Sequence, residues 1–274
     1  MRTDEFYIGW MQAAPASFVL FIKKYLLVLV FLIVGISILL AMHQRKFSTA
    51  NFEFGKKTTL KGTFSAVPVP HLSIVNNNEP MFIPLVGYGK HGADGIIKEL
   101  ENEKQISLEK KEVTFNGTLL YGDGKIIMQI DESEEPLVKI WDDTKLLVTE
   151  KDLGITTVKG EVIDPKCYFG VMKPGEGKVH KDCAIRCISG GIPPVLAITN
   201  EKGEKNYVLL VGSNGEKIND KVKDFVAVPS QITGQLLQYD NWLVMRVSTM
   251  KNEIATVYTT SNSASCTSNC CKKM

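Results

Sequence analysis

The chain has 274 residues, 44% of them hydrophobic and 23% charged, with a formal net charge of +2. Those values exclude a disordered chain, which would carry fewer apolar residues and a larger net charge, and 22 Gly with 11 Pro exclude a collagen-like or linker protein. The near-neutral balance also argues against a nucleic-acid partner, which would select a basic field.

Residues 1–24 form a juxtamembrane segment. Phe6, Tyr7 and Trp10 are aromatics of the kind that settle at a membrane interface, and Pro15 interrupts any helix that would run through it. The segment reads either as an interfacial belt or as a docking element for a partner membrane protein. Tyr25 to Met42 then runs for eighteen residues without a charge, between Lys23–Lys24 and Arg45–Lys46. At ~1.5 Å per residue such a helix reaches about 27 Å, close to a hydrocarbon core of ~30 Å. A cleaved signal peptide fits less well. The apolar run is long, Asp4 and Glu5 precede it, and no small-x-small site follows. Residues 25–42 are therefore expected to be an uncleaved transmembrane helix. Two Lys precede the span and five Lys or Arg follow it within reach (Arg45, Lys46, Lys56, Lys57, Lys61). That count favours a cytoplasmic C-terminal part, but long domains translocate largely regardless of charge. Together with the cysteines below, the expectation is a single-pass protein of the inner (cytoplasmic) membrane, its C-terminal domains periplasmic.

Beyond the span, three blocks recur in the same order. TTLKGTF (Thr58–Phe64) matches TTVKGEV (Thr156–Val162). IPLVGYG (Ile83–Gly89) matches VLLVGSN (Val208–Asn214). VTFNGTLLYGDGKIIMQI (Val113–Ile130) matches QITGQLLQYDNWLVMRV (Gln231–Val247). Ordered recurrence at this spacing reads as tandem duplication, in units 50–150 and 151–250. The blocks are short and rich in Val, Ile, Leu, Thr and Tyr, as strands are. Tyr121–Lys125 and Tyr239–Trp242 fall where strands turn back. Glycines within strands predict bulges or barrel bends. One helix is expected per unit, over Ala93–Lys104 and over Lys217–Phe225. The fold class is mainly β: a transmembrane helix followed by two tandem OB-like small β-barrels, each with a short helix, with paired β-sandwiches as the rival. Residues 252–274, polar and low in complexity, are expected to be a disordered tail; they carry Cys266, Cys270 and Cys271.

Unit two alone holds Asp164–Pro194, DPKCYFGVMKPGEGKVHKDCAIRCISGGIPP, with spacing C-x12-H-x2-C-x3-C. HKDCAIRCISGG reads as a short helix stopped by Gly190–Gly191. On it His180, Cys183 and Cys187 share a face at i, i+3 and i+7. Cys167 comes from the loop after the first strand. Three sulfurs and one imidazole make a ligand set for zinc or copper(I). Met172 offers a thioether, and Asp164 is a second-sphere acceptor for the imidazole. A disulfide from Cys167 to Cys183 or Cys187, suited to an oxidising compartment, is the alternative, and inert buried thiols are a third reading. No CxxC or CxxCH occurs, and no GxSxG, HExxH or Ser-His-Asp order identifies a hydrolase. An enzyme is thus not indicated, although a reactive thiol in redox chemistry stays open. Gly87–Gly92 lacks the phosphate-loop spacing and reads as a glycine-rich turn. The runs Asp131–Glu135 and Asp142–Asp143 read as solvated loops.

The leader DEFYIGW, the single span, the stretch LVGYGKHGA and the C-x12-H-x2-C-x3-C block together resemble a group of bacterial single-span membrane-anchored proteins with OB-fold-like units. Cys167, His180, Cys183 and Cys187 occupy the positions of that pattern. The resemblance implies a bacterial envelope protein without implying a particular chemistry. The functional expectation is an envelope protein whose second β unit holds a Cys/His metal or redox site, accessory to a membrane partner complex. The alternative is a structural or assembly subunit stapled by a disulfide.

Overall fold

The computed structural model describes residues 14–43, 50–131, 135–141, 149–200 and 203–252. The aromatics Phe6, Tyr7 and Trp10, the acidic residues Glu132, Glu134, Asp142 and Asp143, and the tail cysteines Cys266, Cys270 and Cys271 lie outside these residues.

The chain divides into two units, 1–47 and 48–274. In the first, helix α1 (Ala16–His43) has 28 residues, none of them buried, and is long and apolar enough to cross a membrane. It begins directly after Pro15, whose carbonyl accepts the Val19 N–H at 3.0 Å, so the proline sits where a missing N–H does no harm. Lys23 and Lys24 fall inside the helix rather than ahead of it; their long stems can carry the ammonium groups along the helix toward an interface.

The second unit contains two closed five-stranded barrels. The first is built from β2 (Thr58–Ser65), β3 (His71–Asn76), β4 (Glu79–Val86), β5 (Glu112–Gly122) and β6 (Lys125–Ile130). Around the barrel the order is β2-β3-β4-β6-β5 and back to β2, with β4 and β6 parallel. Short β1 (Asn51–Phe52) and β7 (Leu137–Trp141) extend β5. β7 uses the part of β5 that lies beyond β6. The second barrel consists of β8 (Glu150–Ile163), β9 (Val195–Thr199), β10 (Lys205–Val211), β11 (Pro229–Tyr239) and β12 (Trp242–Asn252). It closes in the same order, β8-β9-β10-β12-β11, with β10 and β12 parallel. Both have the connectivity of OB-like barrels.

The duplication extends to register. Thr58 lies opposite Gly117 as Thr156 lies opposite Gly234. Leu85 pairs with Met128 as Leu210 pairs with Met245. The strand glycines do the same task in both copies. A Cβ on Gly62 or Gly160 would stand 2.6 or 2.4 Å from a carbonyl of the second strand, and one on Gly117 or Gly234 would stand 2.3 or 2.2 Å from a carbonyl of the fifth. Only a residue without a side chain lets such tight barrels close. Each hairpin turns on two residues, Asp123–Gly124 and Asp240–Asn241, with left-handed φ at Asp123, Gly124 and Asp240.

Each barrel has its own apolar interior: Phe64, Leu85, Phe115 and Met128 in the first, Leu196, Leu210, Ile232 and Met245 in the second. A third cluster joins the barrels, with Phe82, Leu120 and Ile127 from the first against Tyr207, Leu237, Trp242 and Val244 from the second. The hairpin tips cross over. Asn241 accepts the Phe82 N–H at 2.8 Å, and Asp123 accepts the Tyr207 hydroxyl. Phe82 and Tyr207 are matching positions of the repeat, so the barrels pack as a pseudo-twofold pair. This explains why their third and fifth strands read as nearly unbroken apolar runs: both faces are covered.

Helix α2 (Asp94–Lys104) caps the first barrel with Ile97 and Leu100. The helix expected over Lys217–Phe225 is only a 3-10 turn at Lys223–Phe225. In the second barrel the covering role falls to α3 (Lys181–Ser189), which inserts Ala184 and Ile188, so Ile218 and Val222 fill the remaining space from a loop.

His71 is 1% exposed, stacks on Phe82 at 4.0 Å and donates from Nδ1 to the Val69 carbonyl at 2.8 Å. Burial pushes its pKa down to about 4. A histidine held neutral stabilises the fold fully above its unfolded pKa of ~6.5 and progressively less as pH falls toward 4, by about 3 kcal/mol in total. Urea midpoints at pH 7 and pH 4.5 should therefore diverge more in the native chain than in His71→Phe. Equal pH dependence in the two would refute the assignment.

Candidate metal centre

The asymmetric insert lies between β8 and β9. It starts at Asp164–Pro165, where Asp164 Oδ1 accepts the Lys166 N–H at 2.9 Å. Asp at the cap and Pro at the first helical position are a standard helix start. The turn widens at once into a π-helical segment, Cys167–Val171, whose end is tied by the Met172 N–H to the Cys167 carbonyl at 2.9 Å. Such wide turns recur at functional sites. Gly170 lies against β1: a Cβ there would stand 2.9 Å from that of Phe52. The insert is tied back by Glu161, which accepts the Gly177 N–H at 2.5 Å, and by Lys205, which bonds Tyr168 at 2.5 Å and Glu176 at 3.0 Å.

A 3-10 turn (Lys178–His180) then leads into α3. The helix stops as the Gly190–Gly191 pair implies. Gly191 N–H bonds the Ile188 carbonyl at 3.0 Å, and Ile192 N–H bonds the Cys187 carbonyl at 3.2 Å. This is a Schellman arrangement with a left-handed glycine, φ +101°. Asn219 donates to the carbonyls of Ile188 and Ile192 at 2.8 and 2.9 Å, locking the end of α3.

These elements bring the predicted residues together. Ligand atoms of Cys167, His180 and Cys183 lie within 4.8 Å of one another, and so do those of Asp164, Cys167 and Cys187. Cys167 belongs to both sets. All three thiols are free, so the sulfurs are available as separate donors rather than spent in a disulfide. Asp164 is placed differently from expectation. It makes no hydrogen bond to the imidazole; it joins the ligand-range atoms beside Cys167 and Cys187. The Asp-Pro start could have indicated this, because a capping carboxylate is turned back over the first turn that Cys167 occupies. Asp164 Oδ2 and His180 Nε2 are buried and have no hydrogen-bond partner. Two orphaned polar atoms beside three thiols are costly unless something binds them; a cation held by these donors would satisfy both.

The electrostatics disfavour the charged forms of Cys167, Cys183 and His180. The neighbouring Cys187 thiol and burial push Cys167 strongly upward, burial raises Cys183, and burial lowers His180. A metal would have to displace thiol protons, so its uptake strengthens as pH rises.

The first barrel supplies the facing wall. Buried Lys166 donates to the carbonyls of Gly87 and Gly89, each at 2.7 Å, and Gly92 N–H bonds the Gly190 carbonyl at 3.0 Å. The glycine-rich turn after β4 is therefore a docking loop for the insert. Val86 packs with Cys167, Cys187 and Ile192. Above them opens a cleft of about 810 Å³, lined by Phe52, Phe54, Tyr88, Met172 and the three cysteines among others. No protein-family profile, curated protein or solved structure matches the chain.

Proposed function

We propose that the chain is a membrane-anchored bacterial envelope protein whose second barrel carries a transition-metal centre, accessory to a membrane partner complex. The ligands are Cys167, His180, Cys183 and Cys187, with Asp164 joining them. The observation that carries this reading is the convergence of these donors in two triads that share Cys167, each within 4.8 Å, with Asp164 Oδ2 and His180 Nε2 buried and unpartnered among them. α1 supplies the anchor. Residues 1–24 supply the contact with the partner, and the barrels lie outside the cytoplasm, where long domains are carried across regardless of flanking charge. The pseudo-twofold frame gives the centre a rigid seat, because the insert of one copy is clamped by the glycine loop of the other. The centre serves metal binding or electron exchange.

Metal analysis with thiol titration tests this directly. The full chain, purified in detergent without chelator, should carry close to one metal per chain. Cys183→Ser/Cys187→Ser should lose it with the β-sheet circular dichroism unchanged. No metal, with a single free thiol among Cys167, Cys183 and Cys187, would overturn the proposal in favour of a disulfide-stapled assembly subunit.

A further inference from the structure

We infer that the ion taken by this centre is copper(I), received from the cleft through Met172. The inference rests on the metal centre proposed above and names its cargo.

The sulfurs form a graded path. Met172 is 41% exposed, Cys183 is half-buried, and Cys167 and Cys187 are 6% and 2% exposed. All four line one cleft. Thiolates suit both copper(I) and zinc; the donor that discriminates is the Met172 thioether, a soft neutral ligand with little affinity for zinc. A structural zinc site is closed on all sides and supplies the folding energy of its segment. Here one side opens on the cleft. The insert is held without any metal by the bonds of Lys166, Asn219, Glu161 and Lys205. Lys90 and Lys166 line the same cleft, and its carboxylate Asp131 is paired with Lys57 at 3.0 Å. Those lysines offset the negative charge that the thiolates and the Asp164 carboxylate leave around a bound cation.

Transfer proceeds by ligand exchange. Copper(I) arriving on a donor's sulfur binds Met172 Sδ and then Cys183 Sγ as the donor's sulfur leaves. It settles as Cys167 and Cys187 join Cys183 and the Met172 bond breaks, each ligating thiol releasing its proton to water. Copper remains monovalent throughout and no electron moves.

The test uses the full chain in detergent, without oxygen, with copper(I) offered as its bathocuproine disulfonate complex. The chain should withdraw one copper(I) and keep it against excess zinc. Met172→Leu should retain that stoichiometry but exchange copper with the chelator about tenfold more slowly, the scale on which a supporting group tunes a metal site. Displacement of copper(I) by zinc, or unchanged exchange in Met172→Leu, overturns this inference while leaving the centre intact. Failure to bind either ion overturns the centre as well.

Discussion

Replacing Trp242 with alanine should destabilise both barrels together, by about 3–5 kcal/mol. The indole is fully buried at the first position of β12, directly after the Asp240–Asn241 turn. Its ring stands perpendicular to that of Phe169, with centroids 6.2 Å apart, and Lys125 Nζ lies 5.2 Å from its centroid. Lys125 also donates to the Asn241 carbonyl, so the first barrel's hairpin is fastened over the second barrel's tryptophan. The indole Nε1 has no hydrogen-bond partner; the side chain contributes by packing. Because Trp242 belongs to the cluster that contains Phe82, Leu120 and Ile127 of the first barrel, the cavity would open at the seam as well as within one barrel. Urea unfolding of the full chain in detergent, followed by the β-sheet signal, should show a much lower midpoint and still a single transition. Trp242→Phe, which keeps an aromatic ring in the space, should lose less. A loss below about 1 kcal/mol, or two separated transitions, would mean that the seam does not couple the barrels.

Much of this architecture is legible in the residues, for definable reasons. The barrels could be read because duplication repeats the strand glycines at fixed places, and a glycine against a neighbouring carbonyl is a steric requirement that survives divergence. The turns at Asp123–Gly124 and Asp240–Asn241 could be read because two-residue hairpins demand left-handed φ. The donor cluster could be read because His180, Cys183 and Cys187 need only local helical spacing to share a face. What escaped were long-range effects. The seam between the barrels leaves its mark only as strands apolar on both faces, a pattern that a sandwich core also produces. The shift of the covering helix from the loop before Lys223–Phe225 to α3 depends on which segment packs into the barrel mouth, a tertiary choice. In the sequence Lys166 carries no mark that sets it apart from other lysines. Its burial is intelligible only once the carbonyls of Gly87 and Gly89, far away in sequence, are seen to converge on it. The same holds for Gly87–Gly92, whose glycines answer to a partner surface in the other unit rather than to a bound phosphate.

That partner surface yields the second large effect. Gly190→Ala should destabilise the fold by about 3 kcal/mol and weaken metal binding at least tenfold. The backbone of Gly190 is in an ordinary conformation, φ −76° and ψ 0°, so no intrinsic strain forbids alanine. The obstacle is external: a Cβ there would stand 1.9 Å from the Lys90 carbonyl oxygen, and one on Gly92 would stand 2.2 Å from the carbonyl of Gly191. Neither neighbour is a flexible side chain that could swing aside. Relief requires the loop after β4 to move off α3, which breaks the Gly92–Gly190 bond and pulls the Gly87 and Gly89 carbonyls from Lys166, one residue from Cys167. The damage thus reaches the candidate donors through the wall that holds them. Gly95→Ala is the matched control. It lies inside α2 with open space around the added methyl, so alanine should stabilise by about 0.5–1 kcal/mol through helix propensity and leave metal stoichiometry unchanged. If Gly190→Ala lowered the urea midpoint yet bound metal as tightly as the native chain, the second barrel alone would position the donors. The glycine loop of the first barrel would then be a packing device with no share in the centre.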